Sequence, residues 1–166
     1  MTVLYWTLAV VALQRLIELV HARNNTARLR RLGAVEADPE GYPLYVLLHA
    51  GWLASLAVFV PAATPPYWPL IGIFALLQLG RIWVIASLGR YWTTRIITLP
   101  DAPLVRTGAF QYLRHPNYLL VAAEIAVLPL AFGSVAIAVT FSALNAVLIA
   151  RRIWIEDRVL APRRGV

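Results

Sequence analysis

Arg114, His115, Pro116, Asn117 and Tyr118 stand in one run, and the run has the parts of a ligand corner. Proline is tolerated in the first turn of a helix but not in its interior, so Pro116 marks a helix start. The backbone N–H groups that follow lack helical partners and favour an anion such as a carboxylate. His115 and Tyr118 add hydrogen-bonding groups and flat surfaces suited to a heterocycle. By pattern alone the corner is either a ligand site or a simple turn into an apolar helix. Arg152 and Glu156 lie four residues apart, and on a helix surface that spacing reads as a solvated bridge. The chain has no Cys, which excludes thiol nucleophiles, disulfides and Cys-ligated zinc. His21, His49 and His115 fall in separate elements without metal-ligand spacing, so no metal is expected.

The elements that must hold these groups are apolar. Of 166 residues, 60% are hydrophobic and 14% charged, with a mean hydropathy of +0.69; a soluble domain carries roughly 25% charged residues. So much apolar surface cannot be hidden at this length, which makes lipid the solvent and residues 1–166 one domain. A hydrocarbon core ~30 Å thick takes roughly 20 apolar helical residues. Runs at Thr2–Val20, Pro43–Val60, Tyr67–Leu88, Tyr118–Phe132 (short) and Ser134–Ala150 therefore predict an all-α integral membrane protein with about five transmembrane helices. The last two form a tight helical hairpin around Gly133. The first run has no small-residue cleavage site after it and is read as a retained helix. Residues 1–88 carry the first three spans; residues 89–166 carry a long loop, the hairpin and a C-terminal helix.

The net charge of +7 comes from 15 Arg and no Lys. Arg23, Arg28, Arg30 and Arg31 follow span one; Arg90, Arg95, Arg106 and Arg114 follow span three; Arg151, Arg152, Arg158, Arg163 and Arg164 fill the tail. The opposite turns, Val60–Pro66 and Gly133, carry no charge. Positive loops stay inside, so the N-terminus is expected outside and the C-terminus in the cytoplasm. Arginines set between apolar runs fit membrane orientation better than a nucleic-acid footprint, and no nucleic-acid partner is expected. The segment Ala22–Tyr42, with Glu36, Asp38 and Glu40, reads as a solvated, partly helical loop. Gly89–Asn117 mixes Tyr91, Trp92, Phe110 and Tyr112 with Arg and turn signals; structured loops of that length are usually functional.

Ionisable groups inside spans are costly, so each is a functional candidate. Gln14, Glu18, His21 and Asn25 share one helical face. That stripe is either hydrogen-bonded to another helix or one wall of a polar cavity. Arg15 and Glu18 are spaced as a local pair, and Arg81, near Gln78, needs a carboxylate such as Glu124 or an aqueous cavity. Asn145 lies on the face of Arg152 and Glu156, and His49, alone in span two, reads as a structural residue.

Leu104-Val105-Arg106-Thr107-Gly108-Ala109-Phe110, then Arg-His-Pro-x-Tyr, a hairpin, and Glu156-Asp157 together resemble the isoprenylcysteine carboxyl methyltransferase superfamily over about Leu88–Leu160. The run Leu13–Leu19 with Arg23-Asn24-Asn25 is similar to a bacterial subgroup that methylates alkylpyrones or alkylresorcinols. The resemblance implies a bacterial inner-membrane enzyme using S-adenosylmethionine, with a cytoplasmic cofactor site and a lipophilic small-molecule substrate among membrane lipids. It implies cofactor contacts from His115, Pro116, Tyr118 and Glu156, with the backbone of Val105, Thr107 and Gly108 near the adenine, and catalytic roles for Arg152 and Glu156. O-methylation of an alkylpyrone or alkylresorcinol is the first expectation, a prenylcysteine-type carboxylate the second, a phospholipid amine the third. A membrane NADPH-dependent reductase of the steroid-reductase-like type, and a non-enzymatic membrane partner protein, are the other classes. Two departures stand out: Gly108-Ala109-Phe110 replaces Gly-Pro-Tyr, and Glu156-Asp157 replaces a pair of Glu.

Overall fold

Prolines open three of the five long helices in the computed structural model, which describes residues 2–100 and 102–164. Helix α1 is Val3–Arg31, α2 Tyr42–Phe59, α3 Trp68–Leu88, α4 Pro116–Ala131 and α5 Val135–Arg164. Pro43, Pro69 and Pro116 sit in the first turns of α2, α3 and α4, where a missing N–H costs nothing. Among the described residues four helices, all but α4, are long and apolar enough to cross a membrane. Helix α4 has 16 residues, about 24 Å at 1.5 Å per residue. Phe132, Gly133 and Ser134 turn the chain from α4 into α5, and the two helices pack together.

Both terminal helices outrun their apolar segments. The first runs on from Val20 to Arg31, and the last from Ala150 to Arg164. Hydropathy sees only the apolar part; Ala, Arg, Leu and Glu carry the helix onward by propensity. The segment between α1 and α2 is not the solvated loop expected. Strand β1 (Val35–Glu36) pairs antiparallel with β2 (Ile97–Thr98), and the Glu36 and Asp38 side chains are buried in ion pairs. Asp101, part of an expected turn, lies outside the described residues, as do the side chains of Arg163 and Arg164.

The interior is layered, and α1 and α3 carry the layers in matching order. The first layer is apolar: Leu4, Leu8 and Val11 of α1, Phe74 of α3, Ile125 and Leu128 of α4, with Trp52 and Leu56 of α2. Next come charges. Arg81 Nε donates to both Glu18 oxygens (2.7 and 2.8 Å) and its Nη1 to Glu124 (3.3 Å), while Arg15 reaches Glu18 (3.0 Å) and Glu124 (2.7 Å). Gln14 donates to Glu18, and Gln78 to Glu124. The expected Arg15–Glu18 and Arg81–Glu124 pairs are thus parts of one network of two cations and two anions. Beyond it lies a second apolar cluster, Ala22, Val84, Trp92 and Ala109. Inside lipid, burying Leu against Leu gains little, so packing and interhelical polar contacts hold helices together; here the charged layer joins α1, α3 and α4.

Farther along the stripe, Asn25 Nδ2 donates to the carbonyls of Gly89 and Trp92 (3.1 and 2.9 Å) and meets His21 Nε2 at 3.2 Å. The stripe is therefore structural: Glu18 ties α1 to α3, and Asn25 ties it to the turn that follows α3. His49 Nδ1 donates to the Tyr45 carbonyl one turn back (2.8 Å), as a structural histidine does.

Candidate functional site

Helix α4 begins at Pro116 and α5 runs unbroken past Glu156, so the start of one lies against the end of the other. Tyr118 is the joint. Its hydroxyl donates to Glu156 Oε2 (2.5 Å) and accepts from Arg152 Nε (2.9 Å). Arg152 and Glu156 are thus joined through Tyr118 in a partly buried cluster, not in the solvated bridge that spacing suggested. Arg152 Nη2 donates to the Thr94 carbonyl (2.9 Å), and its guanidinium lies 4.9 Å from the Tyr45 ring centroid.

His115 stacks on Tyr118, with centroids 5.4 Å apart and planes 16° off parallel. Its Nδ1 lies 3.4 Å from Glu156 Oε2 and its Nε2 3.2 Å from Asp157 Oδ1. Two carboxylates, Glu156 foremost, raise the His115 pKa above its ordinary 6.5 against the opposing effect of burial. A raised folded value means the imidazolium's stabilising contribution is complete below pH 6.5 and fades as pH rises through the raised value. Titrating the His115 ring by NMR should give a midpoint above 6.5, and Asp157→Asn should lower it. A wild-type midpoint at or below 6.5 would contradict the two-carboxylate cradle.

Four of these side chains, from His115, Tyr118, Arg152 and Glu156, line a cavity of about 810 Å³. Val105, His115, Pro116, Tyr118, Arg152 and Glu156 are on its wall, as are Tyr91, Trp92 and Phe110 of the long loop. Thr107 and Gly108 are not. The Thr107 carbonyl accepts from Phe110 N (3.2 Å) and starts a 3-10 turn at Gly108–Gln111. Gly108 has φ +59, and a Cβ there would lie 2.1 Å from Ser87 Oγ; glycine suits both demands. Tyr112 points away, beside Trp83 of α3. Gln14, Glu18, His21 and Asn25 take no part in the lining. Two buried polar atoms of wall residues, Trp92 Nε1 and Asn117 Oδ1, lack a hydrogen-bond partner among the described residues. Among the described residues no three His, Asp or Glu are grouped as metal ligands would be.

The isoprenylcysteine carboxyl methyltransferase family model matches residues 70–162, more than half of the chain. The chain belongs to that family. An uncharacterised protein of Bacillus subtilis, YpbQ, is 36% identical over 163 residues, which is 95% of this chain and 96% of the relative. An uncharacterised protein of Haemophilus influenzae is 44% identical over 48 residues, 29% of this chain and 27% of the relative. No solved structure gives a significant match. Membership in the isoprenylcysteine carboxyl methyltransferase family points to a membrane methyltransferase.

The family's matched stretch holds His115, Tyr118, Arg152 and Glu156, and leaves out Tyr45. Sequence reasoning missed Tyr45 and Thr94, which hold Arg152. Tyr45 looks like any aromatic of an apolar span, and Thr94 acts through its carbonyl, which no side-chain pattern reveals. The two departures from the family pattern also find places: Phe110 lines the cavity with an apolar ring, and Asp157 meets His115.

Proposed function

We propose that this protein is an S-adenosylmethionine-dependent methyltransferase acting on an oxygen of a lipophilic acceptor. The observation that carries the reading is the Arg152–Tyr118–Glu156–His115 cluster on the wall of a cavity at the ends of apolar helices. The volume of about 810 Å³ is within the ~300–1,000 Å³ usual for small-molecule sites. The donor set suits the cofactor. Arg106 and Arg114 offer cations to a carboxylate, and Val105, Ile96 and Phe110 an apolar surface to an adenine. Trp92 Nε1 and Asn117 Oδ1 are an unanswered donor and acceptor in the same wall.

When bound, S-adenosylmethionine supplies an electrophilic methyl group on a sulfonium. The chain's residues position and dehydrate the reacting groups. Arg152 holds an anionic acceptor. Glu156 takes the proton of a phenol or enol acceptor, and His115 stabilises the carboxylate before that transfer. An alkylpyrone or alkylresorcinol is the preferred acceptor, a prenylcysteine-type carboxylate the next. The alkyl tail stays in lipid while the head enters between helices. In this reading α4 is a short fifth span, the N-terminus is outside, and residues 89–166 carry the cytoplasmic cofactor site below the spans of residues 1–88.

Calorimetry with S-adenosylhomocysteine and with NADPH tests this. Micromolar binding of the first alone is expected; binding of NADPH alone would favour a reductase, and binding of neither a partner protein. His115→Ala and Tyr118→Ala should each weaken S-adenosylhomocysteine binding about tenfold or more, the scale of a lost hydrogen bond to a charged group, with the fold intact by circular dichroism. Unchanged affinity in both would remove the corner from the cofactor site.

A further inference from the structure

The acidic stretch between α1 and α2 touches the site's scaffold at every acid that the structure buries. Glu36 accepts from Arg30 and from Arg95, the latter at 2.6 Å. Its strand pairs with Ile97–Thr98, and Ala37 N donates to the Ile96 carbonyl (2.9 Å). Arg95, Ile96 and Ile97 are cavity wall. Two residues on, Asp38 takes both Nη atoms of Arg151 and the Gly41 N–H (3.1 Å). Arg151 immediately precedes Arg152, whose own contacts run to Tyr118, to the Thr94 carbonyl and to the Tyr45 ring. Tyr45 closes the circuit, because its hydroxyl accepts from Arg151 Nη1 (3.2 Å).

We infer that Asp38 and Glu36 form a clasp that positions Arg152 and the Thr93–Ile97 wall against Tyr118, making both acids positioning residues for the methyl transfer proposed above. The bidentate geometry of the Asp38–Arg151 pair fixes orientation as well as distance. Gly41 marks how closely the parts meet: a Cβ there would lie 2.1 Å from Asp38 Oδ2 and 2.2 Å from Arg151 Nη1, so a side chain at position 41 and the ion pair exclude each other. The hydrogen bonds from Arg151, ahead of all other effects, hold the Asp38 carboxyl below the usual carboxylate range. Both partners of the clasp therefore keep their charges at neutral pH.

The inference rests on the proposed methyltransferase reading, and its test separates the two. Asp38→Asn and Gly41→Ala should lower kcat ten- to a hundredfold, the scale on which remote misplacement acts. The affinity for S-adenosylhomocysteine should stay within about twofold, since neither residue lines the cavity. The charge swap Asp38→Arg with Arg151→Asp should restore most of the lost turnover. A Tyr118 13Cζ resonance reports the Arg152 hydrogen bond without turnover, and Asp38→Asn should shift it. A wild-type protein that neither binds S-adenosylhomocysteine nor methylates would sink the enzymatic reading while leaving the resonance to judge the clasp. Unshifted resonance with unchanged kcat in Asp38→Asn overturns the clasp, and so does a loss of kcat that the swap fails to rescue.

Discussion

Arg81→Ala should destabilise the helix bundle by about 3–5 kcal/mol, the cost of breaking a buried ion pair by removing one partner. Arg81 is 6% exposed and donates to Glu18 through Nε and to Glu124 through Nη1. Without it, two buried carboxylates face each other with only Arg15 between them. Lipid offers no water to solvate the surplus charge, so one acid must take up a proton or the helices must part. Unfolding in mixed detergent should show the loss directly. Arg81→Ala with Glu18→Gln removes one charge of each sign and should recover more than half of it, because neutrality returns. A loss below about 1 kcal/mol for Arg81→Ala alone would mean the network is incidental to the fold.

The charged layer was half legible in the sequence. Spacing placed Glu18 on one face with Gln14, and membrane cost demanded a partner for Arg81 and Glu124. What spacing could not supply was which helices meet, since Arg15 and Glu124 are 109 positions apart. The helices themselves were legible where lipid dictates composition and illegible where it stops: α1 beyond Val20 and α5 beyond Ala150 are helix rich in polar residues. The acids at 36 and 38 read as solvated because charge on a loop normally is. Their burial depends on Arg95 and Arg151, each brought in by tertiary folding. The corner at His115–Tyr118 was legible because proline, anion-binding amides and aromatics are local signals. The partners of Arg152, Tyr45 and Thr94, were not, because a ring under a guanidinium and a backbone carbonyl leave no motif.

Glu156→Gln should lower kcat toward a phenolic or enolic acceptor by about 10²–10⁴, the usual contribution of a positioned base. The substitution keeps the shape and an oxygen to accept from Tyr118, so the cluster of Tyr118, Arg152 and His115 stays assembled. It removes the charge that does most to raise the His115 pKa. The His115 midpoint should therefore fall toward 6.5 in the same variant, which reports the local electrostatics independently of turnover. A carboxylate acceptor arrives already ionised and needs no base, and for it Glu156→Gln should cost less than tenfold. Arg152→Ala should then carry the larger penalty, because Arg152 is the cation that holds the anion. Rates of the two variants on one phenolic and one carboxylic acceptor thus distinguish proton removal from anion capture. Full activity of Glu156→Gln on the phenol, with the His115 midpoint lowered as expected, would take Glu156 out of the chemistry and leave it as the carboxylate that orients His115 and Tyr118.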